Sequence, residues 1–414
     1  MKTGHSSNHP VPVHVVIVTM DRHLAGAAER AERVLRDDIP GLELRLHAAS
    51  DWRDDPASLE RCRRDIERGD IVIASMLFME EHINPVLPWL KARRDQCDAM
   101  AGCLSAGEVV KLTKLGDFTM GGQQGRLVSL LKRLRSNTKK PAEAGANQMR
   151  MLRRLPKILR FIPGKAQDLR AYFLTLQYWL AGSEQNIADM VRFLVGRYAA
   201  GPRKALLGTL DVQEPIVYPE TGLYHPKSKS RISESIDDLP TFATSGKGKV
   251  GILLMRSYVL SGDTGHYDGV IAALEARGLD TIPAFAAGLD SRPAVKKFFM
   301  KDGRATVDAV VSLTGFSLVG GPAYNDAKSA EDILAALDVP YIAAQSVEFQ
   351  SLDNWECSDS GLMPLETTMM VAIPELDGAT GPMVVGGRMG IAAEGVGAKR
   401  DMEVHGERAN MLAA

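Results

Sequence analysis

Arg256, His266, Glu348, Glu366 and Glu375 supply one permanent cation, one imidazole and three carboxylates in the second half of the chain. The stretch MRSYVLSGDTGHYDGV carries the first two. It leaves the end of an apolar, strand-like run, passes through a Ser/Gly loop and opens a helix. Backbone amides at such a helix start, with Arg256 and Ser257 beside them, suit a carboxylate or a phosphate. His266 falls in the first helical turn. The competing reading is a plain turn and cap made by Ser261, Gly262 and Asp263. A second loop, SLTGFSLVGGPAYN, offers Phe316 and Tyr324 for stacking on a flat ligand, or simply for packing. A third, QSVEFQSLDNWECSDSG, sets Glu348 and Trp355 beyond a strand that ends at Ser346. Three loops on one edge of one sheet would make a cleft with aromatic walls, one arginine, one histidine and several carboxylates.

The run TTMMVAIPE reads as the last buried strand, bordered by Glu366 and Glu375 and closed by the turn signal Asp377-Gly378. A carboxylate at the edge of an apolar strand has its pKa raised by desolvation and can exchange protons. Oxygen ligands of this kind also suit Mg²⁺, which keeps several waters and takes few protein carboxylates. The bland alternative is a strand terminator.

Several patterns lead nowhere. GPAYNDAKS matches a phosphate-binding loop only at Lys328-Ser329, with Ala327 where a glycine must let the backbone wrap the phosphates. No Gly-x-Ser-x-Gly elbow occurs, and no histidine pair at i, i+4 suggests a zinc site. GGQQG and GGRMG follow no dinucleotide pattern. Cys62, Cys97, Cys103 and Cys357 are too few and too scattered for a disulfide framework, which predicts reduced, buried thiols.

A chain of 414 residues exceeds the usual single-domain size, so more than one domain is expected. A net charge of −1 gives no global attraction to nucleic acid or to a membrane surface. The apolar run near Val15 to Met20 is too short for a signal-peptide core, and no stretch approaches a spanning helix. A cytoplasmic location without a transmembrane segment is expected.

The elements that must position the chemical residues alternate. VHVVIVTM, LELRLHAA, DIVIASMLF and AMAGCLS read as strands separated by helical patterns. That order predicts an α/β, doubly wound parallel sheet over residues 1–125. Residues 126–248 read as a basic and helical connecting region. From Arg126 to Arg170 there are thirteen Lys/Arg against the two acids Glu143 and Asp168. Such a charge run is a solvated face or a surface for an acidic partner. Two amphipathic helices follow, broken near Gly182 with Ser183 as N-cap, and SGKGK reads as a hinge. From Lys249 the alternation restarts as a second α/β unit, residues 249–414, which reads as unfinished because HGERANMLAA starts a helix and stops.

GILLMRSYVLSGDTGHYDGVIAALEARGL, VVSLTGFSLVGG, LDVPYIAAQSVEFQSLDNW and SDSGLMPLETTMMVAIPELDGATGP together resemble the large, porphyrin-binding H subunit of magnesium chelatase, in the CobN/magnesium chelatase family. IVYPETGLYHPK and the N-terminal SMLFMEEHINPVLPWL look like the same subunit, of which this would be the N-terminal portion. The large subunit of aerobic cobaltochelatase shares the PELDG and RS…SGD patterns. The resemblance implies insertion of Mg²⁺ into protoporphyrin IX on the way to (bacterio)chlorophyll. It also implies that ATP is hydrolysed by a separate AAA+ subunit, joined through a bridging subunit, which agrees with the missing phosphate loop. No nucleic-acid partner is expected, from the near-zero net charge. On this reading Phe316, Tyr324 and Trp355 stack on the macrocycle, and Arg256, Ser257 and helix-start amides take the propionates. His266, Glu348, Glu366 and Glu375 are the candidate bases and metal hand-off ligands, and the basic segment docks the ATPase subunits. The alternatives are a cobaltochelatase-like large subunit and a non-catalytic, two-lobed binding or scaffold fragment.

Overall fold

The computed structural model describes residues 10–20, 22–53, 55–120, 154–240, 247–321, 324–389 and 401–414. It comprises two compact units, Met1–Val217 and Tyr218–Ala414, and both are α/β.

In the first unit the strands β1 (Val13–Thr19), β2 (Leu42–Ala48), β3 (Ile71–Ser75) and β4 (Ala99–Cys103) lie in the order β2-β1-β3-β4, all parallel. A short antiparallel hairpin, β5 (Lys114–Leu115) and β6 (Phe118–Thr119), extends the β4 edge. All five residues of β3 and of β4 are buried, as continuous apolar strands covered on both faces must be. Alternation divides the side chains. Val15, Ile17, Ile71 and Ile73 share a core with α1 (Ala25–Asp38), whereas Val16, Val18, Val72 and Ala74 share one with α2 (Pro56–Arg68) and α3 (Glu80–Arg93).

The expected connecting region is not a linker along its helical part. α4 (Lys165–Ala181) and α5 (Glu184–Tyr198) bury Tyr172, Trp179, Ile187 and Leu194 in the α1-side core of the first unit. Their apolar faces need a partner, and the sheet face beside α1 provides it. Ser183 caps α5 as read, accepting from the Asn186 amide. The compact units therefore divide at 217/218 and not near 248, since residues 221–233 contribute strands to the second sheet. Most of the basic segment, residues 126–153, lies outside the described residues.

The second unit has eight strands in one sheet: β7 (Thr221–Tyr224), β8 (Ile232–Ser233), β9 (Lys249–Met255), β10 (Asp280–Ala286), β11 (Ala309–Ser312), β12 (Tyr341–Val347), β13 (Thr380–Arg388) and β14 (Met402–Val404). Their order is β14-β13-β12-β11-β9-β10-β7-β8. The five from β13 to β10 are parallel, and β7, β8 and β14 are antiparallel edges.

TTMMVAIPE is not the last strand. Pro364–Glu366 and Ile373–Asp377 are α-helical around a π-helical Thr367–Ala372. β12 and β13 are parallel neighbours, so the chain between them must return from one edge of the sheet to the other, and a helix is the usual way to do so. The strand that follows is TGPMVVGGR.

Candidate functional site

Because β9, β11 and β12 are parallel neighbours, the three loops singled out from the sequence leave the same edge of the second sheet. The first is no loop at its start. Arg256 opens a short helix, α6 (Arg256–Ser261), which stops at Gly262 in the left-handed conformation. Arg256 donates from Nε to the Pro219 carbonyl at 3.0 Å and from Nη2 to the Tyr218 carbonyl at 3.1 Å. These bonds tie the approach to β7 against the end of β9. Ser257 is half-buried on the same turn.

α7 (Gly265–Ala276) begins one residue later than read, with Thr264 as N-cap. Asp263 is 2% exposed and instead accepts from the Met402 amide at 2.6 Å, fastening β14. His266, in the first turn, is 3% exposed. Its ring lies 3.8 Å from the Tyr267 ring and 5.3 Å, edge on, from the Tyr258 ring. Its Nδ1 is buried without a hydrogen-bond partner. Burial, helped by the positive charge of Arg388, pushes its pKa down to about 3. The imidazole is therefore neutral at physiological pH.

Gly386 in β13 explains how closely these groups meet. A Cβ there would lie 2.5 Å from the Glu403 carbonyl oxygen, 3.0 Å from Ser346 Oγ and 3.1 Å from the His266 Cβ. The bare backbone lets β13 pass directly against α7 and the end of β12. Arg388, two residues on, is 8% exposed and its Nη1 lies 3.5 Å from Asp263 Oδ2. Glu348, just past β12, accepts from the Tyr258 hydroxyl at 2.8 Å. His266 and Glu348 are thus joined through one tyrosine. Sequence reading missed both Tyr258 and Arg388. Tyr258 stood inside the motif that drew attention to Arg256, but Arg388 carried no local signal.

The other candidates scatter. Glu366 is fully buried in the crossover, where it accepts from the Phe349 amide at 3.1 Å, the Met363 amide at 3.2 Å and the Gln350 side-chain amide. It holds the loop after β12 onto the helix start. Glu375 is exposed on the last turn of the crossover. The buried acid of PELDG is Asp377, which accepts from the Leu318 amide at 2.7 Å and whose pKa burial raises. Phe316 is half-buried in the loop after β11, and Tyr324 belongs to a two-residue hairpin with Gly320–Gly321. Trp355 already carries the Arg408 guanidinium 5.0 Å over its ring and meets His405 edge on at 6.5 Å. A groove of about 520 Å³ lies instead at the starts of β12 and β13, lined among others by Asp338, Tyr341, Asp377 and Thr380. Among the described residues, no three His, Cys, Asp or Glu side chains gather as metal ligands.

Residues 176–414 match the family model described as CobN/Magnesium Chelatase, and residues 14–173 match a domain of unknown function, DUF3479. The chain belongs to the CobN/magnesium chelatase family. Among curated relatives, the magnesium-chelatase H subunit of Cereibacter sphaeroides is 52% identical over 374 residues, covering 90% of this chain and 31% of that protein. The chloroplastic magnesium-chelatase ChlH subunit of Oryza sativa subsp. indica is 34% identical over 402 residues, 93% of this chain and 29% of that one. The aerobic cobaltochelatase CobN subunit of a Sinorhizobium species is 33% identical over 129 residues, 31% of this chain and 10% of that one. The chain thus spans about a third of the length of the magnesium-chelatase relatives it matches. Among solved structures, the catalytic subunit of cobaltochelatase from Mycobacterium tuberculosis covers 98% of this chain at a TM-score of 0.49 and 17% identity, with 27% of that chain covered. Among the described residues, no helix of this family member is long and apolar enough to cross a membrane.

Proposed function

We propose that this chain forms part of the H subunit of a magnesium chelatase. It would help hold protoporphyrin IX for insertion of Mg²⁺, both as substrates, in a cytoplasmic complex of (bacterio)chlorophyll synthesis. ATP would be hydrolysed by an AAA+ partner joined through a bridging subunit. The observation that carries the reading is 52% identity, across 90% of the chain, to a protein of that name.

The carboxyl edge of the second sheet supports it chemically. Metallation must remove two pyrrole protons, and a positioned carboxylate or a neutral imidazole can accept them. We assign that role to Glu348, oriented by the Tyr258 hydroxyl, with His266 held neutral behind it. We assign Arg256 and Ser257 at the start of α6 to the propionates, and the half-buried Phe316 to the macrocycle face, with Tyr324 as a further candidate for stacking. Glu366 acts through the loop it anchors, and Glu375 is the exposed candidate for receiving the metal ion.

The test is titration of the chain with deuteroporphyrin IX, following quenching of its four tryptophans. Saturable quenching that weakens about fivefold or more in Phe316→Ala is expected. A folded chain with no saturable quenching would place the porphyrin site outside these residues and overturn the assignment.

A further inference from the structure

The first unit has its own unassigned edge. Four buried side-chain atoms of its described residues have no hydrogen-bond partner: Thr19 Oγ1, Trp52 Nε1, Ser75 Oγ and His82 Nδ1. All four stand at the carboxyl edge of its parallel sheet. Thr19 is the last residue of β1 and Ser75 the last of β3. Trp52 directly follows the 3-10 turn Ala49–Asp51 that ends β2, and His82 is in the first turn of α3. Thr19 is 1% exposed, Ser75 0% and Trp52 9%. An orphaned buried polar atom costs roughly 1–3 kcal/mol, so four at one edge call for a reason.

The position is the switch point of the sheet. In the order β2-β1-β3-β4 the connection from β1 runs to one side, to β2, and the next crosses back past β1 to the other side, to β3. Ligands of doubly wound sheets bind outside the strand ends at that point. By the β1 and β3 alternation, Thr19 and Ser75 belong to the α1 side, whereas Trp52 packs in the α2–α3 core. The Trp52 and His82 rings meet edge on at 6.3 Å. The orphans therefore come in pairs from both faces and share only the edge. Unsatisfied hydroxyls are not general there: Ser105, past β4, accepts from the Leu77 amide at 3.1 Å and donates to the Cys103 carbonyl at 2.9 Å.

The chemistry of the orphans selects the ligand. An indole N–H only donates, and hydroxyls can donate, so the missing partner must be rich in acceptors. α1 and α3 both start at this edge without a side-chain cap, their N-cap residues being Leu24 and Met79; the Ala25 and His82 amides already donate to the Arg22 and Met79 carbonyls, at 2.7 and 3.0 Å, and the other first-turn amides face the same edge. Arg22 is engaged with Asp51 at 2.6 Å, and Glu80 and Glu81 are exposed. Met76 and Leu104, at the ends of β3 and β4, hold left-handed backbone at φ 59 and 44, joined by the bond from the Met76 amide to the Leu104 carbonyl at 3.0 Å. We propose that this switch point binds a small oxyanion-bearing ligand, whose phosphate or carboxylate accepts from the Thr19 and Ser75 hydroxyls and the Trp52 indole.

The test uses the full chain, with inorganic phosphate and acetate as separate probes and chloride at matched ionic strength as control. The indole N–H resonance of Trp52, identified with Trp52→Phe, should move saturably with phosphate or acetate. Thr19→Val and Ser75→Ala should each weaken that binding about fivefold to tenfold. Both variants should unfold no earlier than the parent, because each removes an orphaned hydroxyl. Movement with phosphate alone identifies a phosphoryl ligand, and movement with both identifies a general oxyanion site. A resonance that stays still, that moves equally with chloride, or that binds unchanged in both variants overturns the proposal. So does a clear loss of stability in Thr19→Val, which would show that the hydroxyl has a partner in the fold.

Discussion

Both units end a parallel sheet in a polar edge, but they treat its polar atoms differently. In the second unit Tyr258 holds Glu348, Asp263 holds the Met402 amide and faces Arg388, and Glu366 gathers two backbone amides. Most polar groups there are built into the fold; among the described residues of this unit His266 Nδ1, the Tyr341 hydroxyl and Asp377 Oδ1 are the exceptions. In the first unit Thr19, Ser75, Trp52 and His82 keep unpartnered atoms against the strand ends. An edge whose groups bind one another is rigid and costly to alter. One whose groups have no internal partner should tolerate substitution until a ligand is present. The difference distinguishes polar groups that make the structure from polar groups that wait for something else.

The comparison breaks most readily at Gly386. Gly386→Ala forces a Cβ to within 2.5 Å of the Glu403 carbonyl oxygen, so β13 and β14 must separate. A loss of about 3 kcal/mol in chemical denaturation is expected, by the overpacking argument. Next comes Glu366→Gln, which turns a buried acceptor of two amides into a group with one acceptor and a misplaced donor. Roughly 2.5 kcal/mol should be lost, together with hydrogen-exchange protection at Phe349. His266 gives the edge an acid sensitivity. Unfolded, it takes a proton near pH 6.5; folded, only at about 3. Between those values the unfolded chain binds more protons, so stability is full above 6.5 and falls as pH drops through the window. Near pH 5 the loss should reach about 2 kcal/mol, and denaturation of His266→Leu should show that part of the slope removed. Tyr258→Phe should cost only about 1 kcal/mol, while changing porphyrin quenching if Glu348 needs its orientation. The last prediction sharpens the contrast: without ligand, Thr19→Val and Ser75→Ala in the first unit should lose no stability relative to the parent in chemical denaturation, because each removes a buried hydroxyl that has no partner.

Much of this was present in the order of the residues. The β-branched run VHVVIVT and its successors announced parallel strands buried on both faces, and the restart at Lys249 announced a second sheet. The three loops did leave one edge. Period and composition carry that information locally, because a strand covered on both sides has no choice but to be apolar throughout. TTMMVAIPE failed for the same reason: a short apolar run looks alike in a buried strand and in a crossover helix. Only the pairing of β12 with β13 decides which it must be. The helices from Lys165 to Tyr198 were recognised as helices, yet their burial in the first unit depends on a face offered by strands some hundred residues earlier.

The candidate site divides in the same way. His266 and Glu348 could be named from their motifs, because Glu348 directly follows a strand end and His266 opens the helix beyond another. That one tyrosine joins them, that Arg388 helps keep the imidazole neutral, and that Glu366 serves a loop are contacts between distant segments. Residue order was enough for the two α/β units, the helices and the edge on which the chemical residues stand, since these follow from periodicity within a few turns of chain. Which polar atoms found partners was left to the packing of the whole sheet. A hydrogen bond depends on where two backbones pass each other, and that is settled only when the sheet is assembled.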